Sequence, residues 1–181
     1  VYQYENGCPE GVGNFTSHTI DRRGFGTLVL DPRIAYTMTD ILSDNAARSI
    51  AMGSNSPLYT PNIGTSVKTG TTNDIKDNWT IGYPRNVVVG VWVGNNNGDP
   101  MVNSSGLTGA APIWNSVITS IYTQPGAIDV FRVDGQLLPD IPNAPQGMSL
   151  TQICDIRSVT EGATNCPRTT SEWLIDGSAG V

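Results

Sequence analysis
The chain has 181 residues, of which 38% are hydrophobic and 14% charged, and a net charge of −6. That length and balance suit a loop-rich globular domain with a real core, and they exclude a disordered or coiled-coil chain. The acidic charge, with only two lysines (Lys68 and Lys76), argues against nucleic acid and against an anionic membrane surface as partners.

Residues 1–31 read as extended and turn-rich. Val1 to Tyr4 resembles a strand end, Asn6-Gly7 and Pro9-Glu10-Gly11 are turn signals, and Thr27 to Leu30 is another short extended run. Asp31-Pro32 then opens a helix, with Asp31 as N-cap and Pro32 at the first helical position. Ile34, Met38, Ile41 and Leu42 recur at helical spacing, so they are expected to form a buried face, and the helix is expected to run to about Met52, where Gly53 stops it.

After a Ser-, Asn- and Pro-rich loop over 53–63 comes Gly64-Thr65-Ser66-Val67-Lys68-Thr69-Gly70-Thr71-Thr72, a strand around Lys-Thr-Gly. Asn73 to Asn78 form a polar turn. Trp79, Ile81 and Tyr83 alternate with Thr80 and Gly82, which marks a strand with one apolar face. Val87 to Val93 is apolar throughout and reads as a central strand covered on both faces, with Gly90 and Gly94 beside Trp92 where a helix can approach. Short connections make these strands an antiparallel meander. Asn95 to Gly109 is a long polar loop. A second helix follows from Ala110 or Pro112 to about Tyr122, with Ile113, Val117, Ile118 and Ile121 as its apolar face.

Two units are therefore expected: 1–125, the sheet-bearing region, and 126–181, an irregular tail with turns at Asp134-Gly135, Pro139, Pro142 and Pro145. Cys154 and Cys166 flank a short loop containing Gly162. They read as a disulfide formed in an oxidising compartment, with two unrelated buried thiols as the alternative. Cys8 is left over. No Cys-x-x-Cys or histidine spacing around His18 supports zinc, so neither a metal nor a cofactor is expected. No apolar run reaches membrane-spanning length and no signal peptide opens the chain. A start at Val1 fits a piece of a longer protein whose export signal or anchor lies upstream.

Lys-Thr-Gly on a strand is one of three signatures of serine acyl-transfer enzymes such as penicillin-binding proteins and class A β-lactamases. A second, Ser-x-x-Lys, is missing: Thr65 stands three residues before Lys68 and Asn73 three before Lys76. Ser43-Asp44-Asn45 matches the third, Ser-x-Asn, by letter, but falls within the first helix and reads as its surface. A Walker A loop is excluded because Lys68 precedes Gly70. A Ser-His-Asp triad finds no support around His18, the only histidine.

The wording goes beyond the tripeptide. Ala35 to Arg48, Val67 to Asp74, Asp77 to Tyr83, Gly90 to Asn95 and Gly106 to Trp114 together closely resemble class A penicillin-binding proteins, the bifunctional peptidoglycan synthases. The resemblance covers residues 27–122 and, more loosely, the tail with Cys154, Gly162, Cys166-Pro167 and Glu172-Trp173-Leu174. It implies an α+β fold, an antiparallel sheet flanked by helices. The chain would be the C-terminal half of a serine transpeptidase/β-lactamase-like domain plus an irregular tail. That family's sheet has five strands.

The resemblance further implies D,D-transpeptidation of peptidoglycan stem peptides, β-lactam binding, and residence on the outer face of the bacterial cytoplasmic membrane. Lys68, Thr69, Gly70 and Thr71 would form one wall of the catalytic site. Thr69, Thr71 and Thr72 would bind substrate, and the Thr71 N–H is a candidate oxyanion donor. Asp77 and Trp79 would support the wall. Nucleophile, glycosyltransferase domain and anchor would belong to the rest of the protein, which becomes a partner of this part; alone, the fragment is expected to be inactive. The alternatives are a non-enzymatic exported binding module derived from a transpeptidase, and a D,D-carboxypeptidase or β-lactamase of the same superfamily.

Overall fold
The computed structural model describes residues 2–3, 27–28, 30–132, 135–140, 142–155, 158–159 and 165–178. The turns expected near Asn6 and Pro9, together with Cys8, His18 and Gly162, lie outside the described residues.

Two short strands, β1 (Tyr2–Gln3) and β2 (Thr27–Leu28), pair antiparallel at the start. Helix α1 (Pro32–Ser43) begins as its sequence dictates: the Asp31 side chain accepts from the Arg33 N–H, and Pro32 occupies the first turn. The same carboxylate binds the Arg33 guanidinium, which lowers its pKa to about 2.

The helix does not continue to Met52 as a single rod. Asp44 adopts an extended conformation, ending α1 and opening α2 (Asn45–Met52), where its carboxylate accepts from the Ala47 N–H. An aspartate is a better cap than interior helix residue, so the apolar period runs on while the backbone breaks. Arg48 spans the junction by donating to the Leu42 carbonyl at 2.8 Å. Gly53 stops α2 at φ 83°.

β3 (Ser66–Thr71), β4 (Asp77–Tyr83) and β5 (Val89–Gly94) form the expected meander, in the order β3-β4-β5. Among the described residues this sheet has three strands, not the five of the family's sheet. β5 is its far edge and not a central strand. Its Val89 face is buried, whereas Trp92 on the other face is exposed. The runs of valine come from packing on one side only.

Helix α3 (Ala111–Thr123) covers the valine face and leaves the Trp92 face bare. Close approach occurs at Gly82 instead: a Cβ there would lie 2.5 Å from the Trp114 ring. Trp114, Ile118, Leu58, Val67, Val87 and Val89 make the core. A π-helical turn at Gly106–Ala110 leads into α3, started by Ser105 and Thr108, whose side chains each bond the other residue's backbone N–H.

The C-terminal region is more regular than the irregular tail expected. β6 (Met148–Cys154) and β7 (Thr169–Ile175) pair antiparallel over their full length. The Cys154–Cys166 disulfide is present. Beside it the Arg168 guanidinium meets the buried Asp155 carboxylate at 2.6 Å. The approach to this ribbon is tied down too: Asn86 exchanges hydrogen bonds with the backbone of Leu138, and both Asn86 and Tyr122 donate to Asp140. Burial, followed by the Asp140 carboxylate, pushes the Tyr122 pKa up.

Candidate active site
β3 is an edge strand of the described sheet, and the direction of its main-chain groups follows from its pairing. The Thr72 N–H donates to the Asp77 carbonyl at 3.0 Å, so the backbone of Thr72 faces β4. In an antiparallel ladder this direction alternates by residue. The register Thr71↔Asn78, Gly70↔Trp79, Thr69↔Thr80 and Lys68↔Ile81 therefore turns Gly70 and Lys68 toward β4. It turns the N–H and C=O of Thr69 and Thr71 toward the free edge. The exposed Lys68 ammonium folds back along that edge and donates to the Thr69 carbonyl.

Such an edge is a template for an added strand, with an ammonium beside it. Gly70 adds no side chain beside this edge, although a Cβ there would meet only Trp79, at an ordinary 3.7 Å.

The side chains divide between two faces. Lys68 and Gly70 share the front face with Trp79, Ile81 and Trp92, which are 43%, 46% and 45% exposed. Asp77 accepts from the Trp92 indole N–H at 2.9 Å, and its own N–H donates to the Thr72 hydroxyl at 2.8 Å. The Thr72 side chain thus closes the hairpin between β3 and β4. Asn73–Ile75 make the turn itself, with Asp74 and Ile75 at positive φ.

Thr69 and Thr71 point to the back face, against the π-turn. The Gly106 N–H donates to the Thr71 hydroxyl at 3.0 Å, and the buried Thr80 hydroxyl donates to the Gly106 carbonyl at 3.0 Å. A Cβ on Gly106 would stand 2.7 Å from the carbonyl oxygens of both Gly70 and Trp79. The buried Asn78 amide donates to Ser104 at 2.6 Å, just before this turn. Asn78, Thr80 and Gly106 therefore buttress Lys-Thr-Gly from behind. Sequence reasoning missed this function: it took Trp79, Ile81 and Tyr83 as the apolar face of β4, whereas the structure buries the opposite face of Asn78, Thr80 and Gly82 and leaves Trp79 and Ile81 exposed.

Ser43-Asp44-Asn45 occupies the α1–α2 junction, not a continuous helix surface. Ser43 donates to the Asp40 carbonyl and the Asn45 Nδ2 to the Ser54 carbonyl, both within this junction and its loop. Among the described residues no cluster of His, Cys, Asp and Glu is arranged to hold a metal ion.

No family model matches the chain. It is 32% identical over 115 residues to penicillin-binding protein 1C of Escherichia coli (strain K12), a match covering 61% of this chain and 13% of that protein. It is 39% identical over 87 residues to penicillin-binding protein 1A of Pseudomonas aeruginosa, covering 48% of this chain and 10% of that protein. The chain thus spans only about a tenth to an eighth of the length of these relatives. In fold it is similar to the crystal structure of penicillin-binding protein 1A from Haemophilus influenzae. The TM-score is 0.56 at 16% identity, covering 84% of this chain and 22% of that one.

Proposed function
We propose that this chain, which belongs by sequence to the class A penicillin-binding proteins over the part of them it spans, supplies one wall of a peptidoglycan D,D-transpeptidase site. The free main-chain edge of Thr69 and Thr71, with the Lys68 ammonium lying along it, is the observation that carries the reading.

In this reading a serine elsewhere in a longer protein attacks the D-Ala-D-Ala peptide bond of a stem peptide. An ester forms to the serine oxygen as terminal D-alanine leaves with a proton. The acyl group then passes to an amine of a neighbouring stem, freeing the serine. β-Lactams acylate the same serine by opening their ring.

The stem peptide, or a β-lactam in its place, lies along β3 as an added strand. Thr69 and Thr71 pair with its backbone, and Thr71 N–H faces the oxyanion. Lys68 supplies positive charge for the substrate carboxylate. Thr72 acts on substrate only through the hairpin it closes.

The bare front face of Trp79, Ile81 and Trp92 supports a further part of the reading: it is where the rest of the transpeptidase domain seats. Nucleophile, glycosyltransferase domain and membrane anchor belong to that remainder, and the site works on the outer side of the cytoplasmic membrane. Among the described residues no helix is long and apolar enough to cross a membrane.

The test is covalent labelling by a fluorescent penicillin, read by intact mass. This chain alone should take no adduct, and a longer protein containing it should take one per molecule. A stable stoichiometric adduct on the chain alone would put the nucleophile here, and a longer protein that takes none would remove the transpeptidase reading.

A further inference from the structure
α1 is held from two sides, and one of them is the C-terminal ribbon. A helix of 12 residues is marginal alone, so its stability comes from what it packs on. Tyr36 is its only buried residue; Ile34, Met38 and Ile41, expected from their spacing to face the core, are exposed instead. The ring of Trp173 on β7 covers Tyr36 edge-on, with centroids 6.0 Å apart and planes at 87°. One turn earlier, the Arg33 side chain runs past Gly147 at the mouth of the ribbon, leaving 3.5 Å to a Cβ placed there.

Further along, α1 grips the sheet. Ser66 donates from β3 to the Thr39 carbonyl at 2.8 Å, and the Thr39 hydroxyl meets the Tyr83 hydroxyl of β4 at 3.2 Å. Ser66 shares the front face with Lys68, two residues on.

We infer that Trp173 is a positioning residue for the Lys-Thr-Gly strand: the ribbon seats α1 through Tyr36, and α1 fixes the first half of β3 through Thr39. The inference rests on the transpeptidase reading for its catalytic consequence, but its physical part stands without it. The Cys154–Cys166 bond and the Asp155–Arg168 pair keep the far end of the ribbon closed, so the ribbon acts as a stiff lever and not a loose tail.

Hydrogen exchange of this chain tests the physical part with no activity required. Trp173→Ala should speed exchange of amides in 32–43 and 66–68 about tenfold, the upper range for losing an aromatic pair. The α3 amides should hold, and Trp173→Phe should restore most of the protection. Changes confined to 148–154 and 169–175 would overturn the inference. If Trp173→Ala unfolds the chain, reduction of the disulfide in the unaltered protein replaces it: faster exchange in 32–43 and 66–68 supports the lever, and no change there overturns it.

In a longer protein that reacts with penicillin, Trp173→Ala should lower the acylation rate at saturating penicillin several-fold, with Trp173→Phe rescuing it. Acylation at the unaltered rate would overturn the positioning role. If the unaltered longer protein takes no penicillin, the transpeptidase reading falls while the exchange pattern still decides the lever.

Discussion

Gly106 occupies a place where no side chain fits. Its neighbours are backbone carbonyls of β3 and β4, which cannot swing aside without opening the ladder that presents Lys68. Gly106→Ala should therefore destabilise by about 2–3 kcal/mol, the scale of overpacking a rigid site. Gly90→Ala is the control, since its Cβ would meet Ile81 at an ordinary 3.7 Å and should cost well under about 1 kcal/mol. Urea unfolding of the two variants separates these outcomes; equal losses would mean the buttress is not as rigid as its contacts indicate.

Asp31 makes a second prediction at this scale. Its carboxyl titrates near pH 2 when folded, against 3.8 ordinarily, because Arg33 binds the charged form. Folding therefore gains from that charge above the ordinary value, and the gain is lost as pH falls through about 4 toward 2. Exchange protection at the start of α1 should fall across that window. Asp31→Asn, which keeps a cap acceptor but carries no charge, should flatten that part of the profile; an unchanged profile would exclude Asp31 as its source. Asp31 as a cap was legible from Asp-Pro alone, because capping is local. Gly106 was not, because its reason lies in strands distant in sequence.

Among the elements, the meander was legible because Trp79, Ile81 and Tyr83 alternate with small and polar partners, a period only a strand keeps. The same pattern could not say which face stays bare, since β5 is valine-rich but packed on one side only. The break at Asp44 escaped notice because Ile41 and Leu42 continue a helical period toward it, and a cap in mid-period looks like a surface residue. The β6–β7 ribbon was hidden by its composition. Met148 and Leu150 alternate with Ser149 and Thr151, but Gln152 breaks the period after four residues, too short a run to announce a strand among the prolines and turns before it.

What did show was the cysteine pair, and it sets the prediction for this element. Removing the bond with Cys154→Ser and Cys166→Ser should destabilise the ribbon by about 3 kcal/mol in the chain-entropy account. Peptide mapping of the unreduced chain should recover 154 and 166 linked, and a thermal melt of the double variant should fall; both cysteines alkylated without reductant would contradict the pairing.

For the whole molecule, the family resemblance was legible in runs that stand in the same order along the chain, and those runs carry the edge strand, its turn and the buttress behind it. The lack of a nucleophile was legible too, since no Ser-x-x-Lys stands anywhere in the sequence; which face of the sheet lies bare was not. The described sheet offers Lys-Thr-Gly at an open edge and leaves Trp79, Ile81 and Trp92 uncovered. On the proposal made above, this chain is one wall of the site and acts with the rest of a longer protein.

Lys68→Ala in a folded, penicillin-reactive longer protein tests that most directly. The ammonium lies on an exposed edge and carries no core packing, so stability should hold. If, as proposed, the rest of the domain closes a cleft over it, its charge would act there under lowered solvent screening. Acylation by penicillin should slow by about a hundredfold or more, the scale of losing one preorganised electrostatic group. Lys76→Ala, which removes an exposed lysine from the β3–β4 turn, should change the rate little. An unchanged rate in Lys68→Ala, or an equal loss in both variants, would contradict the assignment of the Lys-Thr-Gly strand to the catalytic wall.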